Sequence, residues 1–516
     1  MSHPAERPAA GPRATVLGID LGTSSVKAVV VRLDGSVAAQ AVHDYQVHSP
    51  RPGWSETAPA DWLAATAAAV RSAVARAGAD PVAIGLCGQM HGVVATAADG
   101  RPVRPAMLWS DARAAGELAL YRGLPPAVLA RLANPLSPGM AGPMLVWLAA
   151  NEPAAWAAAR WALQPKDWLR AQLTGRFATE PSDASATLLY DLGGDGWDAD
   201  VLAALGLDAA KLPPILPRSA EPAGTLTAEA AALLGLRTGI PVAAGAADAA
   251  AAALGSGLTE PGAVQLTVGT GAQIVRPVAA LPDPLPARPV THLYRAATDT
   301  GWYAMAAVLN GGLTLGWVCR TLGVDWPELY AAATLPPHPD DPYFLPHLNG
   351  ERTPYLDPGL RAAWTGLGPR HGRPQLLRAA LEGVAFAILD ALDCLLEPGE
   401  RATHLRLAGG GATDPGWRQM LADILGHALA PVEVAAASGL GAALLGARAA
   451  GLPGRLAERG LGGGTGSPTV PRGGDSELHR ARHHAYRRKV FALRDTDNDT
   501  AGIAGAALRS AATVSG

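Results

Sequence analysis

This sequence predicts an α/β protein of two related domains, and three observations support that. At 516 residues the chain is too long for one ordinary core, since domains usually run to ~100–200 residues. A short apolar strand, a Gly-Thr turn and a second apolar strand occur at the start and again about halfway along. Between these hairpins, apolar runs of strand length alternate with longer segments of helical periodicity. No period of ~20–50 residues marks a short-repeat solenoid. The recurrence therefore reads as a duplicated domain, with the boundary near Leu258.

The elements follow in order. Thr15-Val-Leu-Gly-Ile-Asp20 is a strand, Leu21-Gly-Thr-Ser-Ser25 a tight turn, and residues 26–32 a second apolar, β-branched strand. Asp34-Gly35 signals another turn before a third strand at 36–41, giving an antiparallel meander. A helix is predicted over residues 59–77 and another over 166–173, with short buried strands at 82–87 and 241–247. The second hairpin pairs 263–268 with 272–275 across Gly269-Thr270-Gly271. A helix at 375–396, a strand at 404–408 and a helix at 416–428 follow. Residues 451–474 are rich in Gly and Pro and read as a linker or mobile loop. Residues 477–493 read as a final basic helix with a frayed tail beyond it, either an interaction tail or, as composition favours, a solvated helix face. The domains are thus 15–257 and 258–450, flanked by a disordered extension at 1–14 and the linker, terminal helix and mobile tail of 451–516.

Composition narrows the partners. Hydrophobic residues are 49% and charged residues 17%, and long alanine runs rather than Leu and Ile supply much of the apolar share. A net charge of -3 gives no basic footprint for nucleic acid or an anionic membrane, which points to a small-molecule partner. Cys87, Cys319 and Cys394 have no CxxC spacing, so neither zinc nor a disulfide framework is indicated. The first apolar run, 16–19, is too short for a signal-peptide core, and no stretch reaches the ~18 apolar residues of a membrane span. The expected location is the cytoplasm.

Phosphoryl transfer from ATP needs a turn offering N–H groups to phosphate, a carboxylate for Mg²⁺ and a base for the attacking hydroxyl. Asp20 ends a strand beside Gly22, Thr23, Ser24 and Ser25, and Lys27 adds positive charge. This is not a Walker A loop, because GxxxxGK[ST] is absent and the turn leads into a strand. An ordinary β-turn has the same residues, but the second hairpin, with Gly269 and Thr270, favours the phosphate reading. Gly409-Gly410-Gly411 lies between a strand and the helix start Asp414-Pro415, which suits nucleotide binding or simply a tight connection. Asp248 follows an apolar strand and opens an alanine-rich helix, so it is either an N-cap or a general base. Met90, His91, Trp109, Asp111 and Arg113 lie in loops after strands and are suitable in kind for a polyol. The alternative for them is a satisfied loop histidine and an Asp–Arg surface pair.

Taken in order, these segments resemble the FGGY family of carbohydrate kinases over residues 16–448. The matching pieces are Gly18-Ile-Asp-Leu-Gly-Thr-Ser-Ser-Val-Lys27, Gly88-Gln-Met-His-Gly92, Leu108-Trp-Ser-Asp-Ala-Arg113, Lys166-Asp-Trp-Leu169 with Leu173-Thr-Gly175, Gly350-Glu-Arg-Thr-Pro-Tyr355, and Gly409-Gly-Gly-Ala412 with Trp417-Arg-Gln-Met-Leu421. The Gln-Met-His-Gly and Trp-Arg-Gln-Met runs resemble members that phosphorylate D-xylulose. The resemblance implies two ribonuclease-H-like domains of the actin, hexokinase and Hsp70 type around a central ATP and sugar cleft. It implies Asp248 as catalytic base, Met90 and His91 as sugar contacts, and Asp20, with Asp248, near Mg²⁺. The two Gly-Thr hairpins would hold the β- and γ-phosphates, with Gly410 and Gly411 beside the adenosine. The N-terminal domain would be the sugar lobe and the C-terminal domain the nucleotide lobe. Family members are often dimers, so a homodimer is compatible with the resemblance, and the sequence itself leaves the oligomeric state open.

Three positions depart from the family pattern. Ala249 stands where Asn is common, Gly271 where the hairpin usually has Ser, and Met144 where a Lys is typical. The first removes an amide that would meet the sugar, which leaves a kinase for another ketose or polyol, such as ribulose or glycerol, as an alternative. A non-catalytic actin-like sugar sensor or filament subunit is a further one. Against it, only fourteen residues precede the first strand, too few for a helix-turn-helix module, and Asp248 is present.

Overall fold

The computed structural model describes residues 14–298, 300–396, 400, 402–432, 436–454, 456 and 466–513. The expected N-terminal extension lies outside these apart from Ala14, as does part of the expected linker over 451–474. The chain divides into two units. One runs through Pro261 and also takes Pro277–Tyr303 and the helix Ala437–Ala449; the other takes Gly262–Arg276, the chain from Ala304 to residue 432, and residues 466 onward. The first passage between them is at Pro261, near the expected Leu258, but each unit is discontinuous in sequence.

The first unit is built on the strand Thr15–Leu21, whose residues Val16, Leu17, Ile19 and Leu21 are fully buried. It pairs antiparallel with Ser25–Arg32, which pairs in turn with Val37–Asp44, so the predicted meander forms. On its other side it pairs parallel with Pro81–Gly88, setting Asp20 opposite Cys87. Burial on both faces explains why Thr15–Leu21 and Pro81–Gly88 read as continuous apolar runs rather than alternating ones, whereas the edge strand Val37–Asp44 is largely exposed. The helix Pro59–Ala77 forms as predicted, burying Trp62, Val70 and Ala73 and ending on Gly78 at φ 56°.

The strand predicted over 241–247 is broken in two, Pro241–Ala243 and Ala246–Ala247. Gly245 has φ +86°, and a Cβ there would stand 2.3 Å from the Leu86 carbonyl. The backbone has to swerve past its neighbour before resuming the parallel pairing of Ala246 with Cys87. The sheet is covered by the helix Ala437–Ala449 at backbone contact: a Cβ on Gly18 would meet the Gly439 carbonyl at 2.0 Å, and one on Gly85 the Ala442 carbonyl at 1.7 Å. Alanine and glycine thus serve as close-packing surface here, which accounts for the composition.

The second unit repeats the pattern. Its strand order is Trp302–Val308, Ala272–Val278, Ala263–Val268, His404–Ala408, Leu429–Pro431. Ala263–Val268 pairs antiparallel with Ala272–Val278 and parallel with His404–Ala408. The expected helices run Arg373–Asp393 and Pro415–Leu425. The latter starts as predicted, with the Asp414 carboxylate accepting from the Trp417 amide, and stops three residues early because Gly426 turns left-handed at φ 68°.

The final helix bears out the expected solvated basic face only in part, at Arg480, Arg487 and Arg488, and continues where a frayed tail is expected. It runs Ser476–Thr513, its later part being rich in the good helix former alanine. His479, Arg482, His483, Tyr486 and Val490 are buried. Arg482 forks onto Glu382 and donates to the carbonyls of His338, Pro339, Asp341 and Pro342. His479, Arg482 and His483 thus belong to the core of the unit, where composition alone could not place them, while Arg480, His484, Arg487 and Arg488 stay exposed. No helix of the described residues is long and apolar enough to cross a membrane.

Candidate active site

Three neighbouring strands of the first unit end together, because Asp20 and Ala246 both stand opposite Cys87 in parallel ladders. Ligands of open α/β sheets gather outside such carboxyl ends. Here that edge carries Asp20 and the turn Gly22 to Ser25, then Gln89, Met90 and His91, then Asp248.

The first turn is held from several sides. Gly22 donates to the Ser25 carbonyl at 3.0 Å, and its own carbonyl accepts from Tyr45 and from the Gln89 side chain. Trp109, 36% exposed, donates its indole N–H to the Thr23 hydroxyl at 2.9 Å. Asp20 accepts from the Cys87 thiol at 3.5 Å and from the Ser438 hydroxyl. Burial and the charges of Asp20 and Asp248 push the Cys87 thiol well up, keeping it a donor. Lys27 is directly opposite Asp20 in the antiparallel ladder, on the same face of the sheet.

Asp248 starts the helix Asp248–Gly255. Among the described residues its carboxylate accepts from the amide of Ala249, at 2.7 Å, and not from the second or third helix amide as a true N-cap would. Part of its surface reaches solvent, yet burial first, and the charge of Asp20 second, raise its carboxyl to about 7. A carboxylate poised near neutrality is suited to accept a hydroxyl proton.

The segment leading into Asp248 is pinned by a buried charge cluster. Lys166, Asp167, Arg170, Glu180 and Asp183 are each 0% exposed. Lys166 and Arg170 both donate to the Ala244 carbonyl, at 3.3 and 2.8 Å, while sharing Asp167. The Ala247 amide donates to the Ser182 hydroxyl at 3.0 Å, and that hydroxyl donates to Glu180. Burial, set against the attraction of Lys166, leaves the Asp183 carboxyl well above its ordinary range. Lys166-Asp167 was quoted above as a motif; only the tertiary structure shows that it braces the strand before Asp248.

Met90 and His91 lie in the segment that follows the strand Pro81–Gly88. Met90 is buried and its sulfur accepts from the Tyr303 hydroxyl at 3.8 Å. His91 adopts φ 73° and its Nδ1 bonds the Ala186 carbonyl at 2.7 Å, which holds the ring in one orientation. Asp111 and Arg113 are drawn inward instead. Each has a side chain 1% exposed, and they pair at 2.6 Å. Arg113 also binds Glu56 at 2.7 Å and stacks 3.6 Å over Trp54, while Asp111 accepts from the Ser55 amide. The alternative of a surface Asp–Arg pair is corrected: the pair is buried. Met144 is fully buried in the apolar helix Ala141–Asn151, a place where an unpaired lysine would be costly.

In the second unit, Gly269, Thr270, Gly410 and Gly411 line a single groove of about 650 Å³. Two turns far apart in sequence are therefore brought together. The sequence reading missed Arg320, Trp326 and Tyr330, which line the same groove. The rings of Trp326 and Tyr330 are 5.5 Å apart, and Trp326 is 40% exposed, offering a face for a flat heterocycle. The helix Gly312–Leu322 opens at the groove, setting the positive end of its dipole there, while its first two amides, of Gly312 and Leu313, are taken by the Gly269 and Thr270 carbonyls.

Among the described residues no three or more His, Cys, Asp or Glu form a metal cage. Asp20 is near enough to Asp248 for its charge to raise that carboxyl, and carboxylate oxygens are the donor type that Mg²⁺ takes alongside waters and phosphate oxygens.

Residues 15–255 match the model of the FGGY family of carbohydrate kinases, N-terminal domain, and residues 264–450 that of its C-terminal domain. The chain is 36% identical over 417 residues to a xylulose kinase of Escherichia coli strain K12, covering 80% of this chain and 85% of that one. A solved structure described as a xyloylose kinase from Brucella ovis superposes with a TM-score of 0.85 at 34% identity, covering 93% of this chain and 100% of that one. A xylulose kinase structure from Rhodospirillum rubrum gives 0.85 at 28% identity, with coverages of 93% and 99%.

Proposed function

The chain belongs to the FGGY family of carbohydrate kinases, and from that membership we propose that it transfers the γ-phosphoryl group of ATP to D-xylulose, giving D-xylulose 5-phosphate. The sugar's terminal hydroxyl oxygen attacks the γ-phosphorus in line, the bond from that phosphorus to the β–γ bridging oxygen breaks, and Asp248 takes the hydroxyl proton. ADP leaves and the proton passes to solvent. The observation that carries this reading is the Asp248 carboxyl, raised to about 7 at a strand edge it shares with Asp20, Met90 and His91. The likeness to xylulose kinases supports the choice of sugar.

In this reading the first unit is the sugar domain, with Met90 and His91 against the substrate and Trp109 steadying the Thr23 turn. Asp111 and Arg113 hold the Trp109 loop rather than the sugar. Asp20 and Asp248 would hold Mg²⁺, whose role is to offset phosphate charge. The second unit is the nucleotide domain: the turn at Gly269 and Thr270 offers the amides of Thr270 and Gly271 to phosphate, the Gly269 amide being bonded to the Gly271 carbonyl, and Gly410 and Gly411, with Trp326, take the adenosine. Ala249 favours one second reading, a related ketose or polyol as substrate, because it brings no amide to the sugar.

The test is ADP release with Mg·ATP and D-xylulose, D-ribulose, L-ribulose, L-xylulose or glycerol, in the wild type and in Asp248→Asn. Turnover with D-xylulose that falls by ~10²–10⁴ in the variant is expected for loss of a general base. Preference for another sugar retains the mechanism and replaces the substrate. Undiminished turnover in the variant removes Asp248 as base.

A further inference from the structure

We infer that Glu351 is a positioning residue for the nucleotide: its buried carboxylate fixes the turn at 309–312, and that turn fixes the Gly269-Thr270-Gly271 loop that receives phosphate. The inference rests on the assignment of the nucleotide to the second unit's groove. Glu351 belongs to the Gly350-Glu-Arg-Thr-Pro-Tyr355 motif, to which the transfer chemistry assigns no task.

Glu351 is 3% exposed. One oxygen, Oε1, accepts from the backbone amides of Leu309 at 2.7 Å and Arg352 at 2.9 Å. The other, Oε2, accepts from the Asn310 side chain at 2.9 Å, with His347 Nδ1 at 3.4 Å. Asn310 is itself fully buried; it donates to the Gly350 carbonyl at 2.7 Å and accepts from the Leu348 amide at 3.1 Å. Backbone and side chain at 309–310 are thereby locked to one carboxylate, through charge-assisted bonds that a neutral group would not match.

The next residues carry that constraint to the phosphate loop. Gly312 donates its amide to the Gly269 carbonyl, and Leu313 to the Thr270 carbonyl, each at 2.9 Å. The fit is tight, since a Cβ on Gly312 would stand 2.6 Å from the Gly269 oxygen and one on Gly311 2.8 Å from the Gly271 carbonyl carbon. In a trans peptide the C=O and the following N–H point opposite ways. Binding the carbonyls of Gly269 and Thr270 from the helix side therefore aims the amides of Thr270 and Gly271 away from it. Glu351 acts on these donors indirectly, through its hydrogen bonds to Leu309 and Asn310, the backbone that leads from them to Gly312, and the bonds of Gly312 and Leu313 to the loop.

The experiment compares full-length wild type, Glu351→Gln, Asn310→Ala and Gly312→Ala for affinity to ATP, ADP and adenosine by calorimetry, with KM for ATP and for sugar, and with thermal melts. Glu351→Gln keeps the shape but turns one acceptor into a donor facing Asn310. It is expected to weaken ATP and ADP by about tenfold, the loss of one charge-assisted hydrogen bond, with adenosine affinity and sugar KM within about twofold of wild type. Gly312→Ala displaces the loop directly and tests the underlying assignment: ATP affinity like wild type there means that the loop does not bind phosphate. If Gly312→Ala weakens ATP while folded Glu351→Gln and Asn310→Ala do not, the role of Glu351 alone is overturned. Equal losses for ATP and adenosine overturn it too, since only the phosphate end should suffer. Should Glu351→Gln not melt cooperatively, Asn310→Ala is read by the same criteria. Loss of the melt in both shows that the pair holds the unit and not the loop, which overturns the role.

Discussion

Asp248 is under two opposed demands, and both are measurable. As a base it must be ionised, so with a carboxyl at about 7, kcat/KM for the sugar should rise about tenfold per pH unit below that value and level off above it. For stability the sign is reversed. The folded protein holds a proton on Asp248 between about 4, its ordinary range, and about 7, where the unfolded chain does not, so its contribution to stability falls as pH rises through that window. Asp248→Asn should therefore melt at a higher temperature than wild type at pH 8, with the difference closing toward pH 5. Melts at the two pH values, alongside the pH–rate profile, check both halves; a variant equally displaced at both would contradict the raised carboxyl. The sequence left Asp248 as base or N-cap; the bond to the Ala249 amide speaks against the cap, and the nearby charge of Asp20, which helps to raise the carboxyl, comes from a residue distant in the chain.

The elements were largely legible because most are simple in their local chemistry. The helix Pro59–Ala77 and the strand His404–Ala408 have the predicted bounds. What local pattern could not show is which elements meet at backbone distance. Gly85 is an unremarkable residue in an apolar strand, yet any Cβ there would lie 1.7 Å from the Ala442 carbonyl. Gly85→Ala should cost about 3 kcal/mol or more, because strand and helix must separate and the side chains around them lose contact. Urea unfolding checks this, with a lower midpoint expected; an unchanged midpoint would show that helix Ala437–Ala449 does not bear on the strand this closely. The break at Gly245 was hidden for the same reason, since its cause is the Leu86 carbonyl on a different strand.

At the scale of the whole molecule, the first unit cannot be cut from the chain at one point, because Pro277–Tyr303 and the helix Ala437–Ala449 belong to it. A protein ended at Pro261 would leave Gly18 and Gly85 facing water where that helix should lie. It is expected to lack a cooperative thermal transition, by calorimetry, that the intact chain shows; a sharp transition in the fragment would refute this dependence. The sequence by itself determined the α/β class, the duplication and which residues are candidates for phosphate chemistry, since strand periodicity, Gly-Thr turns and acidic strand ends are written within a few consecutive residues. Only the tertiary structure decided that Ser438 meets Asp20, that Lys166 and Glu180 brace the approach to Asp248, and that Trp326 shares a groove with Gly410. Each of those depends on contacts between residues distant in the chain, and close packing and buried charge pairing, unlike local periodicity, leave no mark on the residues beside them in sequence.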